Sequence, residues 1–149
     1  MRPSWDEYFG YLVQVVSWRS DDEETKVGAV IVDNKNRLVS VGYNGTPRGT
    51  DLPHTRAAGK YVYMVHSEPN CIITASRNIE GCKMYVLGML PCCDCAKLIC
   101  QAGLTEVIVV NRRDPTGKDW NFDATLEMFR QCKITTRDII VPKVVLQPS

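Results

Sequence analysis

What this sequence lacks narrows its function before any motif is read. It lacks an excess of charge of either sign: 18 Lys and Arg stand against 17 Asp and Glu, a net charge of +1 over 149 residues. A chain that holds DNA or RNA mainly by neutralising phosphates needs a surplus of positive charge, so a nucleic acid polymer is not expected as its partner. An acidic disordered chain is excluded by the same balance. Long apolar runs are missing as well. The stretches Val27–Val32 and Val107–Val110 fall far short of a membrane span, so no membrane is expected. The opening Met1-Arg2-Pro3-Ser4-Trp5-Asp6-Glu7 places acids where a secretory signal would have its apolar core. There is no internal repeat and no linker.

Cysteine, in contrast, is present in quantity. There are seven, an odd number that cannot pair off, with Cys92, Cys93 and Cys95 clustered and Cys71, Cys82, Cys100 and Cys132 scattered. Without a signal sequence they read as reduced thiols in a cytoplasmic protein, where clustering points to metal or catalysis before disulfides. The four scattered cysteines are expected to be buried small apolar residues.

Periodicity supplies the scaffold. Ser4 and Glu7 have capping-box spacing, and Trp5, Tyr8, Phe9, Leu12, Val15 and Val16 repeat at helical intervals to about Arg19. Val27–Val32 and Leu38–Tyr43 flank the turn residues Asp33-Asn34-Lys35-Asn36, a β-hairpin pattern. Residues 44–60 read as a long functional loop. Helices are expected over Ser67–Arg77, Pro91–Ala102 and Phe122–Cys132, with strands at Lys83–Gly88, Glu106–Val110 and Ile139–Leu146, the last interrupted by Pro142. This order implies a three-layer α/β/α sandwich around a mixed five-stranded sheet.

Two segments carry chemistry: His66-Ser67-Glu68 and Pro91-Cys92-Cys93-Asp94-Cys95. Cys92 and Cys95 stand three apart at a helix start, so their side chains share a face, and a helix N-terminus favours the thiolate that a metal needs. With His66 they make three protein ligands, which leaves the fourth tetrahedral position of Zn2+ open for water, a catalytic rather than structural arrangement. Glu68 is placed to carry the proton that such a water releases. A redox pair or half a zinc ribbon competes for a lone C-x-x-C, but no second C-x-x-C exists and the upstream H-x-E fits neither. His54 reads as a solvated loop residue, with no clustered partners for a second metal.

The pattern H-x-E…P-C-x-x-C is the established signature of zinc nucleobase deaminases. Val27–Val32, Gly42-Tyr43-Asn44-Gly45-Thr46-Pro47-Arg48-Gly49, His66–Asn70 and Pro91–Ile99 with Gln101-Ala102-Gly103 together resemble the deoxycytidylate (dCMP) deaminases over about residues 5–111. The resemblance implies one cytidine deaminase-like domain over residues 1–149 that hydrolyses dCMP to dUMP and ammonia and so feeds thymidylate synthesis. It implies a homo-oligomer, commonly a hexamer, and regulation by dCTP, with Mg2+, and by dTTP. Asn44 matches the asparagine that in the family contacts the deoxyribose. Val27 and Trp120 are candidates for the wall against the base, with core packing the competing role for Trp120, and Ala29 is a further substrate-binding candidate. Arg77 is a candidate for the substrate phosphate, alone or across a subunit boundary, against a solvated helix end. Gly42, Tyr43, Gly45, Arg48, Gly49 and Asp51 form a candidate regulatory nucleotide loop, with a plain turn as the alternative.

Departures from the family pattern are Ser67, where Ala is usual, and Pro69, where Leu is commoner; the Gly49–His66 insert is short and there is no second structural Cys/His set. None removes a catalytic group. The rival readings are a deaminase of dCTP or cytidine, and a non-catalytic zinc-bound nucleotide sensor.

Overall fold

The structure, a computed structural model, describes residues 1–113 and 119–147. Helix α1 spans Trp5–Ser17 and opens on the expected capping box: Glu7 N–H donates to Ser4 Oγ at 3.2 Å, and Ser4 N–H donates to Glu7 Oε2 at 2.7 Å. Its buried side differs from the apolar stripe in the sequence, consisting of Phe9, Gly10, Val13, Gln14 and Ser17 while Trp5, Tyr8 and Val15 are exposed. The helix packs closely on its neighbours: a Cβ at Gly28 would lie 2.5 Å from the Val13 carbonyl oxygen, and one at Gly10 would lie 2.8 Å from Val141, so glycine at these two positions lets α1 approach β1 and Val141.

Strands β1 (Gly28–Val32) and β2 (Leu38–Tyr43) form the predicted hairpin, joined by a turn in which Asp33 Oδ1 accepts the Lys35 and Arg37 amides at 2.9 Å each. Next come α2 (Ser67–Thr74), β3 (Lys83–Leu87), α3 (Cys93–Ala102), β4 (Glu106–Val110), α4 (Phe122–Cys132) and β5 (Thr135–Ile139). The sheet order is β2-β1-β3-β4-β5, antiparallel around β1 and parallel from β3 to β5. Residue alternation along the central strands separates two cores. Val30, Val32, Tyr85, Ile108 and Val110 pack under α1, while Ala29, Ile31, Met84, Val86, Val107 and Val109 pack against Cys71, Ile99 and Phe129 on the other side. The expected three layers are therefore present.

Three expectations need correction. The last strand is Thr135–Ile139, not Ile139–Leu146. It is an edge strand whose first four residues are exposed, so it carries no apolar pattern, whereas Val141 beyond it is buried against α1. Helix α2 ends at Thr74, because Ala75 turns extended with φ −63° and ψ 123°, so Arg77 lies beyond the helix. Of the scattered cysteines, Cys71 and Cys82 are buried, Cys100 is half-buried and Cys132 is exposed.

Candidate metal centre and active site

Both chemical motifs sit at helix starts. His66 is the N-cap of α2 (φ −69°, ψ 161°) and Cys92 the N-cap of α3 (φ −66°, ψ 168°). Extended N-cap backbone turns these side chains away from their helices, and Cys95, one turn into α3, meets them. His66 Nδ1 lies 3.2 Å from Cys95 Sγ and 3.5 Å from Cys92 Sγ, and the three donor atoms all lie within 4.8 Å of one another. Zn–S bonds of about 2.3 Å and Zn–N bonds of about 2.0–2.1 Å at tetrahedral angles separate N from S by roughly 3.5 Å. The donor set and its spacing therefore fit zinc. Among the described residues this is the single group of three or more possible ligands with such geometry.

The thiols respond strongly to each other. A hydrogen bond from Cys95, aided by His66, holds Cys92 down to about 4, against the burial that pushes it up. The same contact, with burial, raises Cys95. One thiolate is thus already favoured, and a cation within the triangle stabilises the second. Glu68 is 5% exposed and lies in the first turn of α2, where its Oε1 accepts a hydrogen bond from the fully buried Ser67 hydroxyl at 2.5 Å.

His66, Glu68 and Cys92 line one cavity together with Val27, Asn44 and Trp120. Trp120 is half-buried and stands edge-on to His66, with ring centroids 5.5 Å apart, and to Tyr61 at 5.9 Å. Its place is on the cavity wall rather than in the core. Asn44 is buried and its amide is largely committed: Oδ1 accepts the Val27 amide at 2.8 Å, while Nδ2 donates to the Thr25 carbonyl at 2.9 Å and lies 3.4 Å from Asp22 Oδ2. One lone pair of Oδ1 is left over for a ligand hydroxyl.

Other expected site residues lie elsewhere. Ala29 follows Val27 on the same side of the hairpin but sits deeper, fully buried in the core beneath α2. Arg77 is exposed, and its Nη1 is 3.6 Å from Asp33 at the hairpin turn, outside the cavity. In the proposed regulatory loop, Gly42 has a packing role, since a Cβ would come within 2.3 Å of the Cys71 amide nitrogen. Gly45 pairs through its backbone with Val65, and the Tyr43 carbonyl accepts from Asn70 Nδ2 at 2.7 Å. Arg48, Gly49 and Asp51 are exposed and do not line the cavity. His54 Nδ1 lies 3.3 Å from Asp21.

Sequence reasoning missed the cavity's cations and their partners. Arg56, Lys60 and Arg113 line it, as do Asp22 and Tyr61. Arg56 Nε donates to Tyr61 Oη at 2.9 Å and its side chain is half-exposed. Lys60, in contrast, is 2% exposed. No spacing signal marks these residues, because they come from separate loops. The one available hint was a lysine set between Gly59 and aromatic Tyr61 shortly before His66.

Comparison with known proteins agrees with this geometry. Residues 3–111 match the family model of the cytidine and deoxycytidylate deaminase zinc-binding region. Human deoxycytidylate deaminase is 43% identical over 116 residues, covering 72% of this chain and 65% of that protein, so the chain spans somewhat less than two thirds of this relative's length. The deoxycytidylate deaminase of Mycobacterium phage D29 is 34% identical over 123 residues, 72% of this chain and 94% of the phage protein. The fold matches that of dCMP deaminase from the cyanophage S-TIM5, solved in complex with dCMP and dUMP, with a TM-score of 0.75 at 24% identity over 93% of this chain and 99% of that one. A ligand triangle of zinc geometry, a buried glutamate beside it and a family match that spans both place this chain in the cytidine and deoxycytidylate deaminase family.

Proposed function

We propose that this chain is a zinc-dependent hydrolase that converts dCMP to dUMP and ammonia. The observation that carries the reading is the convergence of His66, Cys92 and Cys95 on one point of a cavity that also holds the buried carboxyl group of Glu68. Zinc held there would supply Lewis acidity and a water whose pKa is lowered toward about 7. Glu68 would take a proton from the attacking water and deliver it to ring N3, then take the second proton from the C4 hydroxyl and pass it to the departing 4-amino group. Across the reaction the C4–N bond breaks and a C4–O bond forms, so water and cytosine become uracil and ammonia. Trp120 and Val27 flank the base, and Asn44 offers its remaining lone pair to a sugar hydroxyl.

The substrate phosphate needs a cation, and arginine's planar fork suits it. Arg56 and Arg113 are the exposed cations of the cavity and take this role in a single chain. Arg77 can serve only a neighbouring copy. A homo-oligomer, with a hexamer favoured by the family resemblance, would permit that arrangement. Regulation by dCTP with Mg2+, or by dTTP, would act through the Gly42–Asp51 loop, whose Arg48, Gly49 and Asp51 lie outside the catalytic cavity although Asn44 lines it. The product dUMP suits the reading of a role in supplying thymidylate synthesis.

The test is a substrate panel. Zinc-loaded protein is offered dCMP, dCTP, cytidine and deoxyadenosine, with and without added dCTP and Mg2+, and ammonia release is measured. Preferential turnover of dCMP is expected. Preference for dCTP or cytidine assigns a different substrate, and no turnover of any of them leaves a nucleotide sensor.

A further inference from the structure

Lys60 is the most deeply buried cation of the molecule's described residues, yet it belongs to a short 3-10 turn, Lys60–Val62, in a loop. A buried ion pair is weak evidence for stability, because desolvation offsets its attraction, so its place in the cavity wall calls for another reason. Its ammonium has three protons and three carboxylate oxygens around it: Asp22 Oδ1 and Oδ2 at 2.7 Å each, and Glu24 Oε2 at 3.1 Å. With every donor committed, Lys60 has none left for a phosphate.

What the network does hold is backbone. Asp22 Oδ1 also accepts the Glu24 and Thr25 amides at 2.8 and 2.9 Å, and Asp22 Oδ2 faces the Asn44 amide. Burial pushes the Asp22 carboxyl up, but the bonds from Lys60, Thr25 and Glu24 outweigh it and keep the group below its ordinary value. Glu24 Oε2 accepts the Arg56 amide at 2.8 Å. The Lys60 carbonyl accepts the amides of Tyr63 and Met64 at 3.0 Å each. Three loops that supply cavity residues, around Asp22–Val27, Asn44 and Arg56–Met64, therefore meet at one buried charge.

Resting on the dCMP reading above, we propose that Lys60 is a positioning residue for substrate binding: through Asp22 it fixes the amide orientation of Asn44 and holds the loop carrying Arg56 and Tyr61 against the cavity. The chemistry at the zinc triangle does not depend on it.

The test separates this role from plain stabilisation. In zinc-loaded K60M, KM for dCMP should rise about tenfold while kcat stays within about threefold, the pattern of lost uniform binding, at unchanged zinc content. A second variant, D22N/K60M, removes the unpaired buried carboxylate, so it should recover thermal stability. It should keep the raised KM, because the new amide group presents a donor rather than an acceptor to Asn44 Nδ2. An unchanged KM in K60M, a loss confined to kcat, or recovery of both stability and KM in the double variant overturns the proposal. Where K60M fails to fold, the double variant alone decides: a raised KM supports the role and a wild-type KM overturns it. Absence of turnover by the wild-type protein is a different result, and counts against the proposed function itself.

Discussion

The two sides of the cavity are built in different ways. The metal side comes from two helix starts, each a contiguous motif: His66-Ser67-Glu68 opens α2, and Cys92 through Cys95 opens α3. The other side is assembled from loops, with Asp22, Asn44, Arg56 and Lys60 spread over 39 sequence positions and tied together by side-chain bonds through Asp22 and Glu24, beside backbone pairs such as the Asn44 amide to the Val27 carbonyl. On one side rigid elements fix the reacting groups. On the other a buried ion pair ties irregular loops together. Chemistry and substrate binding are therefore expected to be separately adjustable, so variants on the two sides should change different kinetic constants.

The largest effect is expected at the metal side. E68A should lower kcat for dCMP by about 10²–10⁴-fold, the usual contribution of a positioned general acid–base, with zinc content unchanged by metal analysis. Equal turnover would remove Glu68 from the proton pathway and dissolve the contrast between the two sides.

A smaller effect belongs to the loops. R56A should raise KM for dCMP by about tenfold, or roughly 1.4 kcal/mol of binding, with little change in kcat, whereas R77A should leave KM within about twofold of wild type. Steady-state kinetics on both variants sharpens the comparison. The reverse ranking would assign the phosphate to Arg77 of a neighbouring copy and make the cavity a shared one.

These expectations also show what could be read before folding. The convergence of His66, Cys92 and Cys95 and the place of Glu68 in the same cavity were legible because the spacing within each motif is local and the helix itself converts it into geometry. The hairpin and the central strands were legible through continuous buried runs such as Gly28–Val32. Edge strand β5 was not, since Thr135, Thr136, Arg137 and Asp138 all face solvent. Lys60 was not either: a lysine in a loop ordinarily reads as a solvated charge, and its carboxylates lie 36 and 38 positions away. Asn44 lines the cavity as expected, but its commitment to Thr25 and Val27 emerges only when the hairpin closes.

The smallest effect lies away from both sides, at the hairpin turn. The amide of Arg37, together with its guanidinium and the Lys35 amide, holds the Asp33 carboxyl at about 2 against an ordinary 3.8. A carboxyl whose folded value is the lower one stabilises the fold fully above its ordinary value, and this contribution disappears as pH falls from 3.8 toward 2. The wild-type advantage over D33N in urea midpoint should therefore be present at neutral pH and shrink below 3.8, with kcat and KM unaltered at neutral pH. A pH-independent gap would mean that Asp33 acts by shape alone.

The central claim, that His66, Cys92 and Cys95 hold the zinc used for hydrolysis of dCMP beside Glu68, is tested most directly by adding zinc to metal-free protein while following dUMP formation. Activity should rise in proportion to bound zinc and saturate at one ion per chain. Full activity in metal-free protein, or no dUMP from a chain carrying one zinc, would contradict it.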